Sequence, residues 1–362
     1  MLVTAIEAKP LRSLDRVRVG LPPGIVSVIG PNGTGKTNLV EALYFALTGR
    51  SFRTSDRRDL IPFGGTLARA EATITDEDGI EHRLLAAVSR SEGRRHLLDG
   101  NPADPATLAR SRPPVAVFAP DRLTLVKGPP AERRAHLDGF IAARWPARAD
   151  LRKRFGQALA QRNALLSRLS AGHGSAADLG IWDAGMADVA APLVEARSEA
   201  VAELAAAFAG TAGELGLASA ELEYAPRATG TAAEIREGLE GRRDQDIRMG
   251  RSSWGPHLDE LKLLAGGKSL RKYGSQGQQR TALLALLFAE REALLAARRV
   301  TPLLLLDDVM SELDPGRRER LVARLGDGGQ VLITAADEES VPALARETVV
   351  LMPPPQTESA AA

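Results

Sequence analysis

Gly30-Pro31-Asn32-Gly33-Thr34-Gly35-Lys36-Thr37 is the stretch of this 362-residue chain whose reading decides the fold. It fits the pattern G-x-x-x-x-G-K-[ST]. An apolar run, Ile25 to Ile29 (IVSVI), precedes it and predicts a strand, and Leu39 to Leu47 after it carries helical spacing. Glycines let such a loop wrap a polyphosphate, so that several N–H groups and the helix N-terminus point at the anion. Lys36 can bridge β and γ phosphates, and the Thr37 hydroxyl can hold Mg²⁺. Gly30, Pro31, Asn32, Gly33, Thr34, Gly35 and Asn38 complete the candidate nucleotide contacts. The plain alternative is a glycine-rich turn before a helix. A chance match in a chain of this length is on the order of one per cent, and fewer chance matches lie between a strand and a helix. The loop reads as a nucleoside-triphosphate site.

Leu303-Leu304-Leu305-Leu306-Asp307-Asp308 is an apolar strand that ends in two carboxylates. With a phosphate loop elsewhere in the chain, Asp307 is placed to assist Mg²⁺ and Asp308 to polarise an attacking water. Ser275-Gln276-Gly277-Gln278-Gln279-Arg280 opens a helix that runs to Leu295. A serine there is an N-cap, and also a second anion-binding device in which Ser275, Gly277 and Gln278 face a phosphate. The order along the chain is loop, long insertion, S-x-G-Q-Q helix, LLLLDD strand, then Glu312-Leu313-Asp314.

Working outward, Arg69 to Ile74 and His82 to Val88 alternate as hairpin strands about an Asp78-Gly79 turn, and Val115 to Phe118 is a further strand. After Gly128-Pro129-Pro130 the pattern becomes helical. Leu151, Phe155, Leu159, Leu166 and Leu169 form one stripe, and residues 171–175 break it. Trp182, Met186, Val189, Leu193, Val201, Leu204 and Phe208 form a second stripe. Ala220 to Tyr224 reads as a strand leaving this module. Gln330 to Thr334 and Thr348 to Leu351 are the last strands, and 353–362 (PPPQTESAAA) reads as a disordered tail.

Composition narrows the classes. With 44% hydrophobic and 26% charged residues the chain is an ordinary globular one, and no run of 18 apolar residues predicts a membrane span. Zero cysteines exclude disulfides, thiolate metal sites and cysteine nucleophiles, which fits a reducing cytoplasm. The five histidines show no ligand spacing. A net charge of +1 hides an uneven distribution. From Asp121 to Ser170 eleven Arg or Lys face four Asp or Glu, whereas from Thr301 onward five face eleven. Such blocks suit solvated helix faces, and the basic one also suits a phosphate backbone. Arg133, Arg134, Arg152, Lys153 and Arg154 are its candidates for DNA contact.

The ordered motifs resemble the ATP-binding-cassette heads of the SMC class and, more narrowly, the RecF family of bacterial recombination mediators. The residues that carry the resemblance are Leu47 to Thr54 (LTGRSFRT), Phe118 to Gly128 (FAPDRLTLVKG), Glu132 to Asp138 (ERRAHLD), Gly255 to Glu260 (GPHLDE), Tyr273 to Arg280 (YGSQGQQR) and Asp307 to Asp314 (DDVMSELD). They span nearly the whole chain in family order. Departures are local. Ala8-Lys9-Pro10-Leu11-Arg12 stands where an aromatic-containing N-F-R segment is usual, and Asp121-Arg122 replaces a tandem acid. Ala335-Ala336-Asp337 leaves no switch histidine of the transporter kind.

What the resemblance implies is an α/β fold: an ABC-type P-loop ATPase head with mixed sheets, 1–125 and 251–352, and an inserted short helical arm, 126–250. It also implies ATP and Mg²⁺ as cofactors, and catalytic roles for Lys36, Asp308 and, across an ATP-dependent homodimer, Ser275. DNA, RecO and RecR are the implied partners, in gap repair with slow ATP hydrolysis. A transporter ATPase is the main rival, and it lacks its expected Gln loop and switch His here. A small-molecule kinase leaves the S-x-G-Q-Q helix and the paired aspartates without a shared purpose. Long-armed repair ATPases need more than the 237 residues between Thr37 and Ser275.

Overall fold

Ile25–Ile29 is buried at all five positions, as expected of a strand covered on both faces of a parallel sheet. Leu303–Leu306 and Val331–Ala335 are buried throughout as well. The computed structural model describes residues 1–351 without 55, 299, 312, 327–328 and 343–344. The tail expected at 353–362 lies outside the described residues, as does Glu312. Two compact units emerge: Met1–Leu123 together with the chain from Leu294 onward, and Thr124–Ala293. The span 126–250 expected for the arm lies inside the second unit, and residues 251–293 pack with it.

In the first unit a five-stranded sheet runs Ala345–Val350, Ile25–Ile29, Val331–Ala335, Leu303–Leu306, Val115–Phe118. Every pairing in it is parallel. Six antiparallel strands make a second sheet, in which Leu2–Ala8 lies between Val17–Gly20 and Leu67–Thr75, followed by Glu81–Ser89 and Gly93–Leu98. Alternation in Leu67–Thr75 and Glu81–Ser89 sends Ala68, Ala70, Ala72, Ile74, Leu84, Ala86 and Val88 inward. These meet Leu39, Val40, Leu43, Phe45 and Leu47 of the helix Lys36–Thr48 in one core. The nucleotide-loop helix is thus held between the two sheets of its unit. Leu2–Ala8 and Gly93–Leu98 were not foreseen, because short strands interrupted by Thr, Glu, Arg and His carry little apolar contrast.

The second unit is mostly helical. Leu151–Ser170 and the 36-residue helix Leu179–Glu214 pair lengthwise, joined through residues 171–178. Pro192 sits inside the longer helix. Three antiparallel strands, Lys268–Ser269, Glu260–Ala265 and Ala220–Ala225, complete this unit. Among the described residues no helix is long and apolar enough to cross a membrane.

Candidate nucleotide site

The loop after Ile29 turns because Gly33 and Gly35 hold φ of 89° and 98°, left-handed values that glycine adopts freely. Space matters too. A Cβ on Gly35 would approach Leu14 Cδ2 to 2.7 Å, and one on Gly30 would overlap the Leu351 carbonyl oxygen. Gly35 is the N-cap of Lys36–Thr48, offers no side chain to cap the first-turn amides, and is followed by no acid within that turn. The N-terminal amides and the positive end of the helix dipole are therefore open to an anion.

Lys36 lies buried along the loop, and its Nζ donates to the carbonyls of Gly30 at 2.5 Å and Pro31 at 3.1 Å. Thr34 Oγ1 donates to the Pro31 carbonyl, which fixes the turn. Asn38 is tied on both sides, donating to Ser13 Oγ and accepting from Arg53. The loop is thus a preformed cradle.

Parallel register brings the acidic pair to it. Leu306 lies opposite Ile333, and Ile333 lies opposite Ser27, so one strand separates the loop strand from the LLLL strand. At their carboxyl ends Thr37 Oγ1 donates to Asp307 Oδ1 at 3.1 Å, and Thr334 Oγ1 donates to the same oxygen at 2.8 Å. Thr334 in turn accepts from the Asp308 amide at 2.9 Å. Burial, and then the nearby Asp308, push the Asp307 carboxyl above the ordinary carboxylate range; the Thr334 and Thr37 hydroxyls oppose this. Asp308 takes φ of 52°, a left-handed value uncommon for a residue with a Cβ. Ser311 Oγ donates to its carbonyl and Thr334 accepts from its amide, which together hold that turn.

Thr37 and Asp307 offer hard oxygen donors beside the cradle. Mg²⁺ takes one or two protein oxygens and completes its shell from phosphates and water, so this donor set fits the ion. Thr334 was not singled out from the sequence, although a lone polar residue closing QVLIT was the available signal. Glu41 was also missed. It is the only charged residue from Leu39 to Leu47 and is fully buried. Arg12 grips it bidentately at 2.9 and 3.0 Å, Arg53 reaches it at 3.5 Å, and Ser51 donates to it. These contacts tie the segment before the first turn and the LTGRSFRT segment to the loop helix.

Ser275 belongs to the other unit and is exposed. Its Oγ accepts from the Gln278 amide at 3.3 Å while Gln278 Oε1 accepts from the Ser275 amide at 2.9 Å, a reciprocal cap on Gln276–Arg298. Gly277 accepts at its carbonyl from Thr281 Oγ1.

The five basic candidates are not equivalent. Arg133 is buried: Nε and one terminal nitrogen clasp Glu260 at 2.7 and 3.1 Å, and the other bonds the carbonyls of Leu125, Val126 and Gly128. Arg134 donates to the Asp259 carbonyl, and burial draws its pKa below the usual arginine value. Arg152, Lys153 and Arg154 are exposed on one helical turn, with Arg152 at 3.8 Å from Asp138 and Arg154 at 4.0 Å from Asp150. Only these last three present charge to solvent together.

Residues 2–357 match the family described as RecF/RecN/SMC N terminal domain. The DNA replication and repair protein RecF of Streptomyces avermitilis is 36% identical, over 94% of this chain and 95% of its own. The chain belongs to the RecF family. RecF of Heliobacterium modesticaldum is 34% identical over 92% of each chain. Among solved structures, the recombination mediator RecF with ATP superposes with a TM-score of 0.85 at 26% identity, covering 94% of this chain and 93% of that one. An Smc head bound to the C-terminal winged-helix domain of ScpA superposes with a TM-score of 0.57 at 16% identity over 97% and 94%, a likeness of fold alone. The α/β architecture of this RecF-family chain is therefore that of RecF and SMC-head ATPases.

Proposed function

We propose that this protein is an ATP-dependent DNA-binding switch of replication and recombinational gap repair. The observation that carries the proposal is the joining of Thr37, Asp307 and Thr334 at the carboxyl edge of the parallel sheet, beside an open helix N-terminus. That edge is where parallel α/β sheets take their ligands. A solved relative holds ATP and is assigned to the RecFOR pathway, which supports ATP as the nucleotide and RecO and RecR as partners. Mg²⁺ bound between Thr37, Asp307 and the phosphates would neutralise charge on the transferring group. In this reading Lys36 turns from its own loop carbonyls to the β and γ phosphates, while the loop and first-turn amides receive the remaining oxygens. Asp308 orients the attacking water.

Ser275 lies in the other unit, and the proposal gives it to a second copy of the chain. ATP closes a homodimer in which each Ser275 caps the γ-phosphate held by its partner, and slow hydrolysis reopens it. In this reading the arm, 126–250, carries Arg152, Lys153 and Arg154, which offer phosphate contacts. The setting is the cytoplasm. The test is sizing with and without ATP–Mg²⁺, and turnover with and without duplex DNA. An ATP-induced dimer whose hydrolysis rises with DNA is expected. A monomer with DNA-independent turnover refutes the reading.

A further inference from the structure

LTGRSFRT carries part of the family resemblance: Leu47 and Thr48 end the nucleotide-loop helix, and Ser51 and Arg53 bond Glu41 within it. The carboxyl end of that helix presents a different surface. Gly49 closes it with φ of 65°, and the His96 ring packs so closely on Gly49 that an added Cβ would occupy the ring's place. Arg57 Nε donates to the Gly49 carbonyl at 2.7 Å. Arg94, two residues before His96 on Gly93–Leu98, shares that strand's face with it. Arg50 follows Gly49 directly.

Three guanidinium groups and one imidazole therefore converge on a single helix end. Among the described residues no carboxylate pairs with Arg50, Arg57 or Arg94. The nearby acids have other partners: Asp56 accepts from the Arg58 amide, Glu92 pairs with Arg95, and Asp104 accepts from Thr107. Partial burial, then Arg94, then Arg50 hold the Arg57 pKa below the usual arginine value. Burial, then Arg94 and Arg57, lower that of His96. A helix C-terminus accounts for one cation through its dipole, and Arg57 fills that role. Arg50 and Arg94 are left over, held near a like charge that repels them. Such a fork cluster is matched by phosphate oxygens, which accept from guanidinium in the plane of its N–H groups.

We propose that Arg50, Arg57 and Arg94 form a phosphate-binding surface that takes the backbone of DNA on the first unit. The surface lies at the far end of Lys36–Thr48 from the nucleotide loop, about 20 Å away at 1.5 Å per residue. It rests on the reading that the protein binds DNA, and it adds a contact region separate from the basic helical turn of the other unit.

The experiment uses the full chain with ATP–Mg²⁺ and a labelled duplex, titrated across salt. Arg50→Gln with Arg94→Gln removes two exposed charges without breaking an ion pair among the described residues, whereas Arg57 is spared because it bonds Gly49. Each lost phosphate contact lowers the salt slope by about 0.9, so the double variant should lose about 1.8 in slope and bind roughly fiftyfold more weakly at 0.1 M salt. Arg18→Gln with Arg83→Gln, equally exposed on the same unit, should leave the slope near wild type. An unchanged slope in the Arg50/Arg94 pair overturns the surface, and so does an equal loss in the control pair. Wild-type protein that binds no duplex at any salt overturns the DNA reading itself. Pyrophosphate is the second probe: its loss from the Arg50/Arg94 variant with a wild-type DNA slope assigns the cluster to free phosphate and overturns the backbone assignment.

Discussion

Ser275→Ala separates two roles that the same hydroxyl can play. As a cap, Oγ accepts from the Gln278 amide at 3.3 Å within a reciprocal pair. Losing that bond costs about 1 kcal/mol, which in a unit of this size lowers the melting midpoint by about 2–4 °C. ATP turnover would otherwise persist. As a donor to the partner's γ-phosphate, the hydroxyl supports a transition state, and its loss should cost about 100-fold or more in turnover. Ser275→Gly sharpens the contrast, because glycine restores most of the capping energy without a hydroxyl. It should melt close to wild type and still fail to hydrolyse. Mixing then tests the dimer. In a heterodimer of Ser275→Ala and Lys36→Ala, one composite site carries both lesions and the other carries none. Random pairing makes about half of the dimers mixed, each with one of two sites intact, so the mixture should recover up to about one quarter of wild-type turnover. The assays are steady-state phosphate release and duplex retention for each variant alone and mixed. Normal DNA-stimulated turnover by Ser275→Ala alone, or no recovery on mixing, refutes the shared site.

Lys36→Ala should weaken ATP binding by about 10- to 100-fold, the worth of a charge-assisted contact, while Lys36→Arg binds better and turns over poorly; nucleotide titration showing wild-type affinity for the alanine variant removes the assignment. Asp308→Asn should bind ATP, accumulate as a closed dimer and hydrolyse little, so a monomeric variant with normal turnover on a sizing column contradicts its role. Asp307→Asn should weaken Mg²⁺-dependent binding yet stabilise the metal-free protein as pH rises. The folded Asp307 pKa is raised, so its contribution is present below the unfolded value near 3.9 and lost as pH climbs through the folded one. Melts in chelator from about pH 4 to 8 that show no growing advantage for the amide would contradict this. Arg162 is fully buried and bonds Asp183 and Asp246, each at 2.7 Å. Arg162→Met leaves two buried carboxylates short of a partner and should cost about 3–5 kcal/mol; a loss below about 1 kcal/mol in denaturant unfolding would contradict that network.

Much of the nucleotide site was legible because its residues are adjacent in sequence. The loop needs glycine where φ is positive and a lysine and hydroxyl at fixed offsets, so the candidate contacts fall in eight consecutive residues. Asp307 and Asp308 were legible for a related reason, since an apolar strand that ends in acids marks the carboxyl edge of a parallel sheet. Thr334 was not. Its role comes from lying one strand over from Asp307 in register, and register between Leu306 and Ile333 is invisible to local patterning. Glu41 was lost in the same way, because its arginine partner at position 12 and its hydroxyl partner at position 51 stand 29 and 10 residues away. The hairpin Leu67–Thr75 with Glu81–Ser89 was visible through strict alternation. Gly93–Leu98 was hidden by three successive basic residues.

The basic block shows where charge pattern alone misleads. Eleven cations in fifty residues suggest one polyanion surface, yet the structure spreads them over different tasks. Arg133 closes on Glu260, and Arg162 sits at full burial between two aspartates. The segments ERRAHLD and GPHLDE prove to be two halves of one interior. Arg197 binds Asp138 bidentately at 2.8 and 3.0 Å and reaches Asp259 at 2.9 Å, so a third element clamps the two motifs together. Asp259 also accepts from the Tyr224 hydroxyl and the Arg227 amide. Burial and then Asp259 drive the Tyr224 pKa far above the ordinary phenol range, so this hydroxyl stays protonated and donating. Separations of 59 and 62 residues hide such a clamp from any reading of spacing. A charged motif in a family of this kind thus carries two meanings, a ligand contact or half of a buried ion pair, and burial is what decides between them. By that criterion Arg152, Lys153 and Arg154 are the exposed ones among the five candidates singled out in the basic block, which is why the arginines at the end of the nucleotide-loop helix that have no carboxylate partner among the described residues weigh in the proposal for DNA contact.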